Sequence, residues 1–139
     1  MSQYSSLFNS TRVPELGKDR LFRDEKARHI LVMRRGHFYV FDVFDRDGNI
    51  LEPSDIYACM EHIGRDSVSP PSHPLGYLTS ENRDTWAAAR QLLVEQNRQQ
   101  VESIDSALFN LVLDDEQLGN DPQKAVKMFL HGNGANRYV

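Results

Sequence analysis

His29-Ile30-Leu31-Val32-Met33-Arg34-Arg35-Gly36-His37-Phe38-Tyr39-Val40-Phe41-Asp42-Val43-Phe44 is the stretch on which the fold turns. Two runs rich in β-branched and aromatic residues, 29–33 and 38–44, flank a short connection that contains Gly36, and this pattern predicts an antiparallel hairpin. In the second run Tyr39, Phe41 and Val43 share one face, and Phe38, Val40, Asp42 and Phe44 share the other. Both faces are largely apolar, so this strand is expected to be covered on both sides, as in a sheet sandwiched by helices. The next residues, Asp45-Arg46-Asp47-Gly48-Asn49, read as a turn. They have the outline of a calcium loop, but with Gly48 in the glycine position the first and last ligands would be Val43 and Ser54, which cannot do that job.

Further along, Pro53-Ser54-Asp55 predicts a helix start with Ser54 as the N-cap and Asp55 favourable to the dipole. Ile56, Met60 and Ile63 would form its buried stripe, and Gly64 its end. Three prolines between Ser67 and Pro74 predict a surface connection. A longer helix is expected from Glu81 to Asn97, capped by Thr79 or Ser80, with Trp86, Ala89 and Leu93 on its apolar face. Ala107 to Leu113 reads as a buried strand closed by Asp114-Asp115. Asp121-Pro122 opens a last helix, with Ala125, Val126, Phe129 and Leu130 as its stripe and Gly132 as its stop. Upstream, residues 1–28 read as ordered loop with a short helix near 18–27. The predicted order is β-β-α-α-β-α, an α/β (α+β mixed) arrangement. Three strands and three helices leave sheet edges open, and Arg137-Tyr138-Val139 looks like a fresh element beginning. The expectation is a single incomplete domain over residues 1–139.

Composition narrows the function classes. The chain has 139 residues and a net charge of −4, which argues against a general binder of nucleic acid or of anionic membranes. About a quarter of the residues are Leu, Ile, Val or Phe, enough to take the chain out of the disordered class. The single Cys59 excludes an intrachain disulfide framework. No apolar run reaches the roughly 20 residues that span a bilayer. The first residues lack the apolar core of a secretory signal, and Glu15, Asp19, Asp24 and Glu25 do not suit a transit peptide, so no targeting segment is expected in this chain. Without a secretory signal, the Asn9-Ser10-Thr11 sequon reads as a chance match.

Five histidines are candidate bases: His29, His37, His62, His73 and His131. His29 opens a strand, His37 lies beside the hairpin turn and His73 sits among prolines, which are poor settings for an oriented general base. Cys59 and His62 form a C-x-x-H pair with no second pair of zinc-like spacing. His131-Gly132-Asn133-Gly134 reads as a helix stop, since a helix C-terminus repels anions and the run has no phosphate-loop lysine. Arg12, Arg83 and Arg137 are candidate partners for carboxylate or phosphate groups, or structural forks to a backbone carbonyl or an Asp.

The stretch Leu7-Phe8-Asn9-Ser10-Thr11-Arg12-Val13-Pro14 resembles the LFNSTRxP segment of the carnitine/choline acyltransferase family. The likeness continues through Asp24-Glu25-Lys26-Ala27-Arg28-His29, the hairpin and the Asp47-Gly48-Asn49-Ile50 turn. Thr79-Ser80-Glu81-Asn82-Arg83-Asp84, followed by Trp86, resembles the family's TSENRDxWA helix. Leu113-Asp114-Asp115 and Leu130-His131-Gly132, with Asn136-Arg137, extend the series to the end of the chain. The spelling is nearest to the mitochondrial, palmitoyl-transferring branch of type II.

This resemblance implies part of the N-terminal half of an acyltransferase-type fold, in a protein that moves long-chain acyl groups between coenzyme A and carnitine. It implies small-molecule substrates (acyl-CoA and carnitine), no tightly bound cofactor, no metal, no nucleic acid, and a place on the matrix side of the mitochondrial inner membrane. The family's catalytic His stands in an H-x-x-x-D-G signature. Here the only Asp-Gly pair is Asp47-Gly48, preceded at the His position by Val43, so the catalytic His is expected beyond Val139. No catalytic, cofactor-binding or metal residue is expected within the chain, and the isolated chain is expected to be inactive. The rival expectation is a truncated, non-catalytic isoform that acts as an interaction or regulatory module.

Overall fold

The computed structural model describes residues 7–131. The hairpin forms as expected: β3 (His29–Arg34) pairs antiparallel with β4 (His37–Asp42), and Arg34 faces His37 across a two-residue turn. Arg35 and Gly36 both take positive φ, 50° and 80°, the mirror-image turn that matches strand twist. A third strand, β5, covers only Asn110–Leu113 of the expected buried run 107–113 and, as the other edge strand, leaves Val112 39% exposed; it lies parallel to β3, so the sheet order is β4-β3-β5. Leu31, Val32 and Met33 are at most 2% exposed. The strand covered on both faces is therefore β3, not β4. Lying at the sheet edge, β4 leaves Val40 45% exposed.

On one face Ile30 and Val32 pack with Ile63, Tyr39, Phe41 and Leu111; on the other Leu31 and Met33 pack with Ala107, Phe38 and Ile104. Ile63 belongs to α1 (Pro53–Asp66), which lays its half-buried Ile56 and Met60 and its buried Ile63 along one side, as the spacing predicts. The ends of α1 differ from expectation. Glu52 is the N-cap and makes no side-chain cap bond, because Pro53 takes the first helical position and its fixed φ starts the helix. Gly64 lies inside the helix with open space where a Cβ would be. The helix instead ends at Ser67, whose amide and hydroxyl both donate to the Ile63 carbonyl, at 3.0 and 2.6 Å.

The expectation for residues 1–28 is overturned. There is no helix near 18–27. Instead β1 (Ser10–Glu15) and β2 (Lys18–Arg23) form a second antiparallel hairpin around Leu16-Gly17, with Gly17 at φ 71°. Lys18 to Arg23 is too polar to show strand alternation, yet one face of the hairpin, with Val13 5% exposed, has a helix to pack on.

That helix is α3. It follows the single turn α2 (Gly76–Thr79), which uses Thr79 as a helical residue with its hydroxyl donating to the Gly76 carbonyl. The N-cap of α3 is therefore Asn82, not Thr79 or Ser80: its side chain accepts from the Asp84 amide at 3.0 Å. α3 runs Arg83–Asp105, with Asn97 out of helical conformation at φ −134° and ψ 42°. The predicted end at Asn97 is thus a break between two arms. Arg90 and Asp105 form a nearly buried ion pair across it. Fifteen residues of straight helix would hold them about 22 Å apart, so the second arm folds back along the first. That return delivers Ala107 and β5 to the sheet, with the Leu108 amide donating to the His29 carbonyl.

The last helix, α4 (Pro122–His131), starts at Pro122 as predicted, with the Asp121 carboxylate accepting from the Gln123 and Lys124 amides. Its expected buried stripe is not buried. Met128 is 9% exposed, but Val126, Leu130 and Phe129 are 55%, 62% and 80% exposed. Gly132 and Arg137-Tyr138-Val139 lie outside the described residues.

Candidate functional site

The two segments carrying the most distinctive sequence pattern, residues 7–14 and 79–86, meet in space. Alternation along β1 and β2 sends Val13 and Arg20 to one face of the hairpin and Arg12 and Asp19 to the other. Asp19 then stands between two guanidinium groups: Arg83, the first residue of α3, donates from Nε to Oδ1 at 2.9 Å, and Arg12 Nη1 lies 3.6 Å from Oδ2. The Gly17 amide donates to Asp84 Oδ1 at 3.0 Å and fixes the hairpin tip on the same helix start. Arg12, Asp19 and Arg83, together with Pro14, Thr79, Glu81 and Trp86, line a cleft of about 270 Å³. Trp86, 4% exposed, is its packed wall.

Of the three arginines singled out in the sequence, the fold brings Arg12 and Arg83 together, and Arg137 lies outside the described residues. The cleft holds two guanidinium forks and the two carboxylates of Asp19 and Glu81, and Asp19 takes both forks, so they tie the hairpin to the start of α3. Its lining has no cysteine and no histidine, and its one side-chain hydroxyl, that of Thr79, donates to the Gly76 carbonyl.

No described histidine side chain lines the cleft, and two are tied to backbone carbonyls. His29 Nε2 is 2.7 Å from the Ser103 carbonyl, and His37 Nε2 is 2.8 Å from the Ser69 carbonyl. A carbonyl only accepts, so each ring carries its proton on Nε2 and serves to tie strand to loop. His62 and His73 are exposed, Cys59 is half-buried on α1, and His131 closes the backbone of α4. Among the described residues no three His, Cys, Asp or Glu gather as a metal site. The Asp45 turn shows where its carboxylate goes: it accepts from the Asn49 side chain and from the Asp47 and Asn49 amides, which lowers its pKa.

Sequence reasoning missed one polar cluster, at the carboxyl ends of the parallel strands β3 and β5. Asp115, just past β5, receives Arg34 Nη2 at 3.0 Å and Arg35 Nε. Hydrogen bonds from Arg35 and then Arg34 hold its carboxyl below the usual carboxylate range. Arg34 also donates to Ser67 Oγ at 2.7 Å and to the Gly64 carbonyl at 3.0 Å. Tyr39 donates to Asp66 Oδ2 at 2.8 Å, and burial together with that carboxylate raises its pKa. The signal was present as two arginines in a hairpin turn, but their partners lie about 30 and 80 residues away in sequence.

Comparison with known proteins gives this geometry its context. The family described as Choline/Carnitine o-acyltransferase matches residues 1–139. The chain belongs to that family. Acyltransferase relatives align along the whole chain. Carnitine O-palmitoyltransferase 2, mitochondrial, of Mus musculus is 53% identical over 139 residues, covering 99% of this chain and 21% of the relative. The Homo sapiens protein of the same name is 52% identical with the same coverage. Carnitine O-acetyltransferase of Rattus norvegicus is 32% identical over 145 residues, covering 97% of this chain and 23% of the relative. The chain thus spans about a fifth of the length of these acyltransferase relatives. Among the described residues no helix is long and apolar enough to cross a membrane.

Proposed function

We propose that this chain serves a mitochondrial carnitine O-palmitoyltransferase, transferring long-chain acyl groups between coenzyme A and the hydroxyl of carnitine, and that its part in that work is scaffold rather than base. The observation that carries the reading is the collinear match at 52–53% identity along the whole chain. The convergence of the 7–14 and 79–86 segments on Asp19 supports it, because the residues that spell the family also build one packed unit.

Acyl transfer needs a general base for the attacking hydroxyl or thiol and donors aimed at the developing oxyanion. His29 and His37 already donate to backbone carbonyls, so neither is placed to take a substrate proton through Nε2. The base in this reading lies outside residues 1–139. The substrates are acyl-CoA and carnitine, no tightly held cofactor or metal takes part, and the working site is the matrix side of the inner membrane.

A chimera tests this. The matching fifth of the mouse palmitoyltransferase is replaced by this chain, and the folded product is assayed with palmitoyl-CoA and carnitine. Retained palmitoyl transfer is expected, while the 139-residue chain alone releases no CoA thiol above background. A folded but inactive chimera would sink the acyltransferase reading. Turnover by the isolated chain that disappears when one of its own histidines is changed would sink the scaffold assignment.

A further inference from the structure

The face of the β1–β2 hairpin opposite Asp19 packs on α3 through buried Val13 but does not fill the space beside it. It leaves two cavities of about 590 and 470 Å³ between hairpin and helix. Val13, Arg20, Arg90 and Val94 line both, so the two are one elongated groove. Its lining is mixed: exposed Leu16 and half-buried Pro14, Phe22 and Val94 give it apolar patches above the buried Val13 and Val101, and small Ala87 and Ala88 keep it open at one end.

The charges at its walls do not balance. Each of its three arginines has a carboxylate: Arg20 with Glu15 at 2.9 Å, Arg98 with Glu102 at 3.7 Å, and Arg90 with Asp105. Asp24 and Glu95 also line the groove; neither forms an ion pair among the described residues, and Asp24 Oδ1 accepts from the Lys26 amide at 2.8 Å. The first arm of α3 ends at Asn97, beside Val94 and Glu95. The groove therefore combines apolar patches with an excess of negative charge at its rim.

We propose that this groove is a docking surface for a basic amphipathic helix, whose apolar stripe lies on Phe22 and Val94 and whose lysine or arginine side chains meet Asp24 and Glu95. An apolar face laid into a groove supplies the affinity, and the rim charges select the sign of the partner. An acyl chain with an anionic head fits the apolar patches but not the rim, where every guanidinium is already paired. The inference stands independently of the acyl-transfer reading, since it uses neither substrate.

The test uses the 139-residue chain and two labelled helical peptides of about 14 residues, roughly 21 Å long. One is built of Leu and Lys and the other of Leu and Glu, and binding is followed by fluorescence anisotropy. The Leu/Lys peptide is expected to bind at least about tenfold more tightly, and to weaken as salt rises. Glu95→Lys should weaken it about fivefold, and Ala88→Arg should abolish binding by filling the groove. Both positions are exposed, so circular dichroism should show either variant folded. Glu61→Lys, on α1 and away from the groove, should change affinity by less than about twofold. Equal affinity for the two peptides, equal losses in Glu61→Lys and Glu95→Lys, or full binding by Ala88→Arg would overturn the proposal. So would a concentration-dependent dimer in sedimentation that Ala88→Arg dissolves, because the groove would then belong to a second copy.

Discussion

Asp115 joins three segments through two arginines, and its protonation carries a stability signature. Its proton affinity is lower in the folded chain than in the unfolded one, so the unfolded state takes up more protons as pH falls. The stabilisation is complete above the ordinary carboxylate value near 4 and is lost as pH drops through the lowered folded value. Asp115→Asn should therefore melt lower than the parent at neutral pH, with the gap closing in strong acid. Melting curves over a pH series read this directly, and a gap constant at every pH would refute the assignment. In the core, Leu31 is 2% exposed between β3's neighbours. Leu31→Ala should cost about 2–5 kcal/mol in urea unfolding, the range for a cavity in a packed site. The pairing of Asp115 with Arg34 and Arg35 was not visible in sequence, because hydrogen bonds over such separations leave no local pattern. Leu31 was legible as a core residue from its strand alone.

At the scale of elements, two junctions decide how pieces meet. The Arg35-Gly36 turn lies under the proline-rich connection: a Cβ on Gly36 would sit 3.1 Å from Pro74 Cβ, at a φ of 80°. Gly36→Ala should destabilise by about 1–2 kcal/mol through its positive φ, with the contact adding to that. A melting temperature unchanged by this substitution would contradict the turn geometry. The second junction is the fold-back of α3. The Arg90 and Asp105 side chains are 15% and 9% exposed, so Asp105→Ala leaves a guanidinium nearly buried and should cost about 3 kcal/mol. Breaking the exposed Arg98–Glu102 pair with Arg98→Ala should cost under about 0.5 kcal/mol. Comparable losses in the two variants would mean that the clasp is not what holds the arms. The helical pattern before Asn97 was readable from Trp86, Ala89 and Leu93. The return arm was not, since a reversal held by a pair fifteen residues apart leaves no periodic signal.

For the whole molecule, β3 is the part everything else leans on. It pairs with β4 and β5, and its two faces carry separate clusters. The β1–β2 hairpin is held mainly against α3, and five of the six residues of β2 are exposed. Amide exchange should therefore be slowest at Leu31, Val32 and Met33 and faster throughout β2, because an edge hairpin opens without global unfolding. Equal protection in both would show one cooperative unit. The apolar runs at 29–33 and 38–44, the Ile56–Met60–Ile63 stripe and the Pro122 helix start were determined by the sequence itself. Each rests on local periodicity or fixed backbone geometry. The family spelling in the 7–14 and 79–86 segments was equally readable residue by residue. Only the tertiary structure decided that residues 10–23 form a hairpin, that β5 runs parallel beside β3, and that Arg12 and Arg83 share Asp19. Those outcomes depend on which surfaces are available to pack and which charges are brought within reach, and both are set by the folded chain.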